Sequence, residues 1–443
     1  DRDTGAPGMS LAYDAMVAGT AAVGAAAMAL AYARSRDPFH PLLLACPMAI
    51  FLYACMPLVL AQYDTLVWFV SPEELERAQT VFLVLLAAFC AGALAVSGRT
   101  RWSRGRAVVP LTGDARRRLG LAAAVFGAAG LAAWAVLITS GGGLQGVYDT
   151  PHGGDVLHPS GWVRESTRLA LGGVLLTLAA SQSPRAWLLA LAFAAPQIVH
   201  AALGTRRGPA FVSAVMLVGS LYVFRGQRPR LAATLAGGGA VGVLLLFLLA
   251  NRDRIYYGSE QPVIVDITDS MAFRPTTGNE YLTAAGFVTT ADRTGRFGWG
   301  LSYVEQLFVR PIPRAVMPDK YDLIEEGTVT PTDMAAQLGW RPPPGWATTI
   351  FAHLYIEFAW LSVLASFLLG AAYAWVWRRS VEQPTVGWQS LYVLMCAGVL
   401  HLFAQDFWAM GVPLLLMFTP TWLALRWALD HPFRGRPSPA AAR

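Results

Sequence analysis

Charge is what this sequence has least of. Only 14% of its 443 residues are charged, against about a quarter in an ordinary soluble domain. With 55% hydrophobic residues and a mean hydropathy of +0.44, the chain is not a string of soluble domains, although its length alone would suggest one. Lysine is almost missing. Lys320 stands alone among 34 basic residues, a compositional bias rather than a chemical signal. Cysteine is scarce too: Cys46, Cys55, Cys90 and Cys396 all fall inside apolar blocks. Neither a disulfide framework nor a thiolate metal site is expected. There is no Walker A motif, no HExxH, no CxxC and no GxGxxG between a strand and a helix. Nucleotide-driven chemistry therefore lacks support, and no metal or other cofactor is expected. No basic n-region with a small-residue cleavage site is visible, so no signal peptide is expected.

What is present is a series of apolar blocks, each near the roughly 20 residues that cross a bilayer. Eleven spans are expected, at about 11–33, 41–61, 79–97, 119–139, 168–181, 186–203, 209–224, 231–250, 348–377, 390–408 and 410–428. The fold class is therefore an all-α polytopic membrane protein. Its parts are residues 1–250 with eight spans, a large loop at 251–347, and residues 348–443 with three spans and a tail. The loop is too long to lack structure. Short helices are expected at 279–291 and 301–309, forming a small helical cap that rests on the bundle.

The net charge of +6 does not point to nucleic acid, because the arginines collect in alternate loops. One set holds Arg34 and Arg36, the run from Arg99 to Arg118, Arg185, Arg225 to Arg230, Arg378 and Arg379. The opposite set holds the acidic 61–78 loop and the 251–347 segment, with 9 basic and 12 acidic residues. The positive-inside rule puts the amino terminus outside, the carboxyl terminus in the cytoplasm and the cap on the outer face of the cytoplasmic (inner) membrane. Membrane lipids are the first expected partners.

Polar residues at membrane depth are costly and so are functional candidates. The turn Gly204-Thr205-Arg206-Arg207-Gly208-Pro209 sets two guanidiniums beside a helix start on the expected outer side. Such a pair suits a diphosphate or phosphate, and cytoplasmic anchoring arginines are the plainer alternative. His353 and Glu357 are four residues apart and share a helix face. A carboxylate beside an imidazole is a common general-base arrangement, and equally a common structural hydrogen bond between helices. His401, Gln405 and Asp406 fit interhelical hydrogen bonding better than a proton relay. The stretch from Arg296 through Phe297, Trp299, Tyr303, Phe308, Arg310 and Arg314 to Lys320 interleaves aromatics with cations. Aromatic faces beside arginine suit a phosphorylated sugar. An ordinary cap packing on the membrane surface would also favour these residues. Arg252 and Arg254, where the loop begins, join the binding candidates.

Gly300-x-Ser302-Tyr303, Pro313-Arg314 and Pro318-x-Lys320 together resemble the main external loop of bacterial O-antigen and capsule repeat-unit polymerases. The turn Gly204 to Gly208 is similar to the family's Gly-x-Arg turn. The helix His353 to Leu361 is similar to its acidic-Tyr-aromatic-Gly pattern, with Ala359 at the glycine position. The resemblance covers about residues 200–375. It implies a GT-C-like, metal-independent glycosyltransferase that moves a growing glycan from undecaprenyl diphosphate to a hydroxyl of the next lipid-linked repeat unit. It also implies a chain-length regulator protein as partner. Within this reading His353 and Glu357 are catalytic, and Arg206, Arg207, Arg252, Arg254, Arg310, Arg314, Lys320 and Tyr303 bind substrate. Two other readings stay open: a ligase handing finished glycan to another acceptor, and a transporter of lipid-linked oligosaccharide or solute. Transport would favour broken mid-membrane helices, and Gly237 to Gly239 mark one place for a break.

Cysteines introduced at Ser103 and Gly226 should be shielded from an impermeant thiol reagent in intact cells, and one at Thr328 should react. Labelling at Ser103 would reverse the orientation.

Overall fold

The computed structural model of the chain describes residues 10–102, 110–149, 161–203, 207–251, 254–264, 279–309, 312, 316–317, 328–343, 348–405 and 408–429. Among the described residues there is no strand. The first half holds α1 (Leu11–Ser35), α2 (Pro41–Gln62), α3 (Pro72–Ser97), α4 (Gly113–Ser140), α5 (Leu169–Ala180), α6 (Pro184–Leu203), α7 (Gly208–Phe224) and α8 (Leu231–Ala250). The long loop carries α9 (Glu280–Thr294) and α10 (Pro331–Leu338). Then come α11 (Ile350–Phe358), α12 (Ser362–Glu382), α13 (Val386–Gln405) and α14 (408–428).

Eight stretches among the described residues are long and apolar enough to cross a membrane: α1, α2, α3, α4, α6, α8, α11 with α12, and α13. The chain is a multi-pass membrane protein. The other three expected spans are helical but fall short of that measure. α5 has 12 residues, about 18 Å at 1.5 Å per residue, and every residue from Ala170 to Ala179 is covered by neighbouring helices. α7 and α14 each contain a π-helical turn, at Val215–Gly219 and Leu414–Phe418. The triple glycine at 237–239 does not break α8, which is continuous.

Two apolar cores organise the bundle. One is built by α1, α2, α3, α9 and α11, the other by α4, α5, α6, α7 and α14. α13 belongs to both, giving Val399, Leu402 and Phe403 to the first and Val393, Leu394 and Ala397 to the second. Within the cores, helices approach until their backbones touch. A Cβ on Gly92 of α3 would overlap the Phe367 carbonyl of α12, and one on Gly370 would overlap the Phe89 carbonyl of α3. In a bilayer, where lipid is as apolar as leucine, such close packing of small residues is a main source of helix association.

The loops gather at two ends. At one, Asp37 is buried after α1 and accepts from Arg228 Nε (2.8 Å), Trp377 Nε1 (3.0 Å) and the Phe39 N–H (2.9 Å). The Arg228 guanidinium also lies over the Phe39 and Trp102 rings. Nearby, burial pushes the His40 imidazole down to about 4, against the opposing pull of Asp37. Arg116, Ser181, Phe224 and Val386 surround a cleft formed where α4 and α13 begin and α5 and α7 end. At the other end Arg168, Gln197, Pro209, His401 and Pro413 line a small cavity.

The helices expected at 279–291 and 301–309 are present, as α9 and as Leu301–Val304 running into a π turn at Glu305–Val309. α9 does not simply rest on the bundle. Tyr281 through Ala291 are all buried, and the Tyr281 hydroxyl lies 2.7 Å from that of Tyr13 on α1. Small residues make this insertion feasible: Gly286 faces Met334 of α10, and Thr290 returns its hydroxyl to the Gly286 carbonyl. Ion pairs fasten the rim, Arg293 to Glu74 (2.6 Å), Arg77 to Asp292 (3.2 Å) and Arg296 to Asp333 (2.9 Å).

Gly370→Ala should force α3 and α12 apart. A loss of about 1–3 kcal/mol is expected for such overpacking, readable as a lower melting midpoint of the detergent-purified protein. An unchanged midpoint would mean that the contact relaxes freely.

Candidate functional site

α11 is short and held in strain at both ends. Thr349, just before it, has φ +64°, and Ala359, just after it, has φ +46° with ψ −133°. Left-handed backbone at non-glycine residues costs of order 1–3 kcal/mol and persists only where surroundings enforce it. Tyr53 of α2 donates to the Thr349 hydroxyl at 2.8 Å. Beyond Ala359 a single 3-10 turn, Ala359–Leu361, redirects the chain into α12.

A helix that stops here leaves carbonyls without intrahelical donors. The loop segment supplies them. The Gly298 N–H donates to the Ile356 carbonyl (2.9 Å) and the Trp299 N–H to the Glu357 carbonyl (2.7 Å). The Glu357 side chain completes the grip, accepting from the Gly300 N–H at 2.8 Å. Its carboxylate lies directly over Gly298, where a Cβ would come within 2.6 Å of both oxygens. Gly300 sits at φ +89° and Trp299 at φ +50°, so the turn needs glycine for space at one position and for conformation at another.

This grip assembles the site. His353 and Glu357 are 2% and 0% exposed. Ser302, just past the turn and also buried, has its Oγ 3.4 Å from His353 Nε2. Its hydroxyl and N–H face the Glu357 carboxylate as well. Glu357 Oε1 is nevertheless left buried without a hydrogen bond. Tyr303 meets the His353 ring edge-on at 5.2 Å and stacks on Phe358 at 5.8 Å. The opposite face of α11 is fixed by Tyr355, whose hydroxyl donates to Asp292 at 2.7 Å while Arg77 pairs with the same carboxylate and covers Trp360. An imidazole, a hydroxyl and a carboxylate with a free lone pair can pass a proton among themselves and accept one from a bound hydroxyl.

Of the residues singled out from sequence, the structure brings together His353, Glu357 and Tyr303. The Arg254 guanidinium donates to the Pro262 carbonyl at 2.9 Å, in a loop where Tyr257 N–H reaches the Tyr148 carbonyl. Arg206, Arg252, Arg310, Arg314, Lys320 and Asp406 fall outside the described residues. For Arg207 only the backbone, in the first turn of its helix, is described. Its neighbour Gly208 packs against the His401 ring, where a Cβ would be 2.9 Å from Nε2. Gly208, the last residue of the Gly-Thr-Arg-Arg-Gly motif, therefore abuts α13 near its end. Sequence reasoning placed Ser302 only within a motif and missed that it bridges His353 and Glu357. The alternating Gly298-x-Gly300-x-Ser302 spacing is the signal that marks this turn.

No protein-family model, curated protein or solved structure matches this chain.

Ala359→Gly should relieve the left-handed strain and stabilise the protein by about 1 kcal/mol. A raised thermal midpoint checks this, and an unchanged or lowered one would mean that Ala359 sits without strain.

Proposed function

We propose that the chain is a polyprenyl-diphosphate-dependent glycosyltransferase that polymerises undecaprenyl-diphosphate-linked oligosaccharide repeat units at the outer face of the cytoplasmic membrane. The observation that carries this reading is the buried Ser302–His353–Glu357 cluster with an unfilled carboxylate oxygen, closed off by a glycine-hinged turn. A buried acceptor without a donor is costly unless a ligand fills it, and a sugar hydroxyl is such a donor. In this mechanism His353 takes the proton of the acceptor hydroxyl, and Ser302 and Glu357 hold the imidazole and the sugar in register. The turn at 298–300 moves to admit the acceptor. Arg206 and Arg207 hold the diphosphate leaving group, whose developing charge needs guanidinium stabilisation. Arg252, Arg254, Arg310, Arg314, Lys320 and Tyr303 contact the glycan and its phosphates.

The reading includes eleven passes, with an extracytoplasmic cap formed by the 251–347 segment. The alternation of helix ends supports this count. Residues at the start of α4 and the end of α5 line one cleft, so α5 runs back along α4 despite its length. The starts of α5, α7 and α14 meet the ends of α6 and α13 around the other cavity.

A transporter of lipid-linked glycan is the second reading, favoured by the break at Ala359–Leu361 within an apolar stretch. Purified protein supplied with lipid-linked repeat units separates the readings. A ladder of lengths supports polymerase, one transferred product supports ligase, and neither product with vesicle-to-vesicle passage supports transport.

His353→Ala should lower product per folded molecule by about 100- to 10,000-fold, the usual range for removing a general base. Glu357→Gln should lose less, because the amide oxygen still accepts from Gly300. If both variants keep wild-type turnover per folded molecule while expression falls, the cluster is structural. Arg206→Ala or Arg207→Ala should cost on the order of 2–4 kcal/mol of transition-state stabilisation, visible as loss of long products at normal expression. Full activity in the double variant would remove that turn from the site.

A further inference from the structure

At the end of the bundle away from the His353 cluster, α1 and α3 finish side by side. Their ends enclose an open cleft of about 680 Å³, lined by Arg34, Leu94, Ala95, Gly98, Arg99 and Arg101. That volume is ordinary for a ligand pocket, about 300–1,000 Å³. Three of its six lining residues are arginines. None of the three has an ion-pair partner among the described residues, whereas two arginines of neighbouring segments do. Arg228 is held by Asp37 at 2.8 Å and Arg378 by Glu382 at 2.7 Å. Glu382 reaches this region through a 3.0 Å bond from the Thr100 hydroxyl, and it is already engaged by Arg378.

Helix C-termini attract single cations through their dipoles, so one arginine at each end would need no further cause. Three exposed guanidiniums around one open cleft still repel each other, although water and salt screen part of that repulsion. An anion in the cleft removes that cost. The lower wall shows what the anion is attached to. Leu94 and Ala95 line the cleft on α3, and Ala91, a turn earlier on α3, and Leu30 and Ala33, within about a turn before Arg34 on α1, are exposed apolar residues. A phosphate with acyl chains fits both parts. A free anion uses only the first.

We infer that this cleft binds the phosphate of an anionic diacyl phospholipid, with its chains lying along α1 and α3. The site is separate from the proposed glycosyl transfer and does not depend on it. Basic pockets between membrane helices are a known setting for such headgroups, with about 1 kcal/mol from each arginine near the surface.

The full chain, purified and examined by native mass spectrometry, tests this with phosphatidylglycerol, phosphatidylcholine and inorganic phosphate as probes. Phosphatidylglycerol should be retained, and phosphatidylcholine should not. The Arg34→Gln/Arg99→Gln/Arg101→Gln variant should bind phosphatidylglycerol on the order of 100-fold more weakly, and each single change about fivefold more weakly. Arg230→Gln, an exposed arginine on a different loop, should leave binding unchanged. The single variants keep most of the positive charge that orients the chain, so they decide the matter if the triple variant misfolds. Equal retention of phosphatidylcholine, or unchanged binding in Arg34→Gln and Arg99→Gln, overturns the proposal. Competition by inorganic phosphate as strong as that by lipid would overturn the lipid source and leave a free-anion site.

Discussion

A helix that ends among apolar neighbours must find donors for its last carbonyls, and much of the structure answers that need at α11. The cost of an unsatisfied backbone group in such surroundings is several kcal/mol. Gly298 and Trp299 meet it with their N–H groups, and Glu357 binds the next one. Because the donors come from the long loop, closing the helix end also docks the loop. Ser302 and Tyr303 follow directly in sequence and are thereby delivered to His353. The same few bonds finish a helix, fasten a cap and build a cluster.

The opposite end of the bundle obeys a related constraint. Burying a carboxylate is costly, and pairing and hydrogen bonds offset the cost; Asp37 has three donors from three separate segments. Removing either partner would strand a buried charge, so the pair acts as a lock on register more than as a source of stability. Between the two ends, backbone contact at Gly92 and Gly370 sets how closely α3 and α12 lie, and α13 joins the two cores. α11, the strained element, adjoins both the rim ion pairs and α13. The cluster is thus mounted where rigid packing surrounds a helix that is not relaxed.

The comparison of α5 with α9 explains why span counting by hydropathy has limits. α5 is apolar but for Thr177 and is covered by other helices, yet it is too short to match a bilayer by itself. α9 carries four threonines, a glutamate, an aspartate and an arginine, reads as a surface helix, and is buried along most of its length. Hydropathy reports how much apolar surface a segment has. It does not report whether lipid or protein covers that surface, and threonine can satisfy its hydroxyl within its own helix.

By itself the sequence determined the class of the molecule. Low charge, apolar blocks and arginines segregated to alternate loops require a helical multi-pass membrane protein, because only helices or closed barrels satisfy the backbone in lipid. It also determined that His353 and Glu357 share a face, since a spacing of four is local geometry. The tertiary structure alone decided that Glu357 grips the 298–300 turn and that Ser302 stands beside His353. Those contacts join residues more than fifty positions apart, and no periodicity encodes which N–H will reach which carboxylate. Likewise, nothing in the sequence tells that Arg34 shares an open cleft with Arg99 and Arg101 while Arg378 pairs with Glu382. That difference depends on which helix ends lie together, and packing settles it.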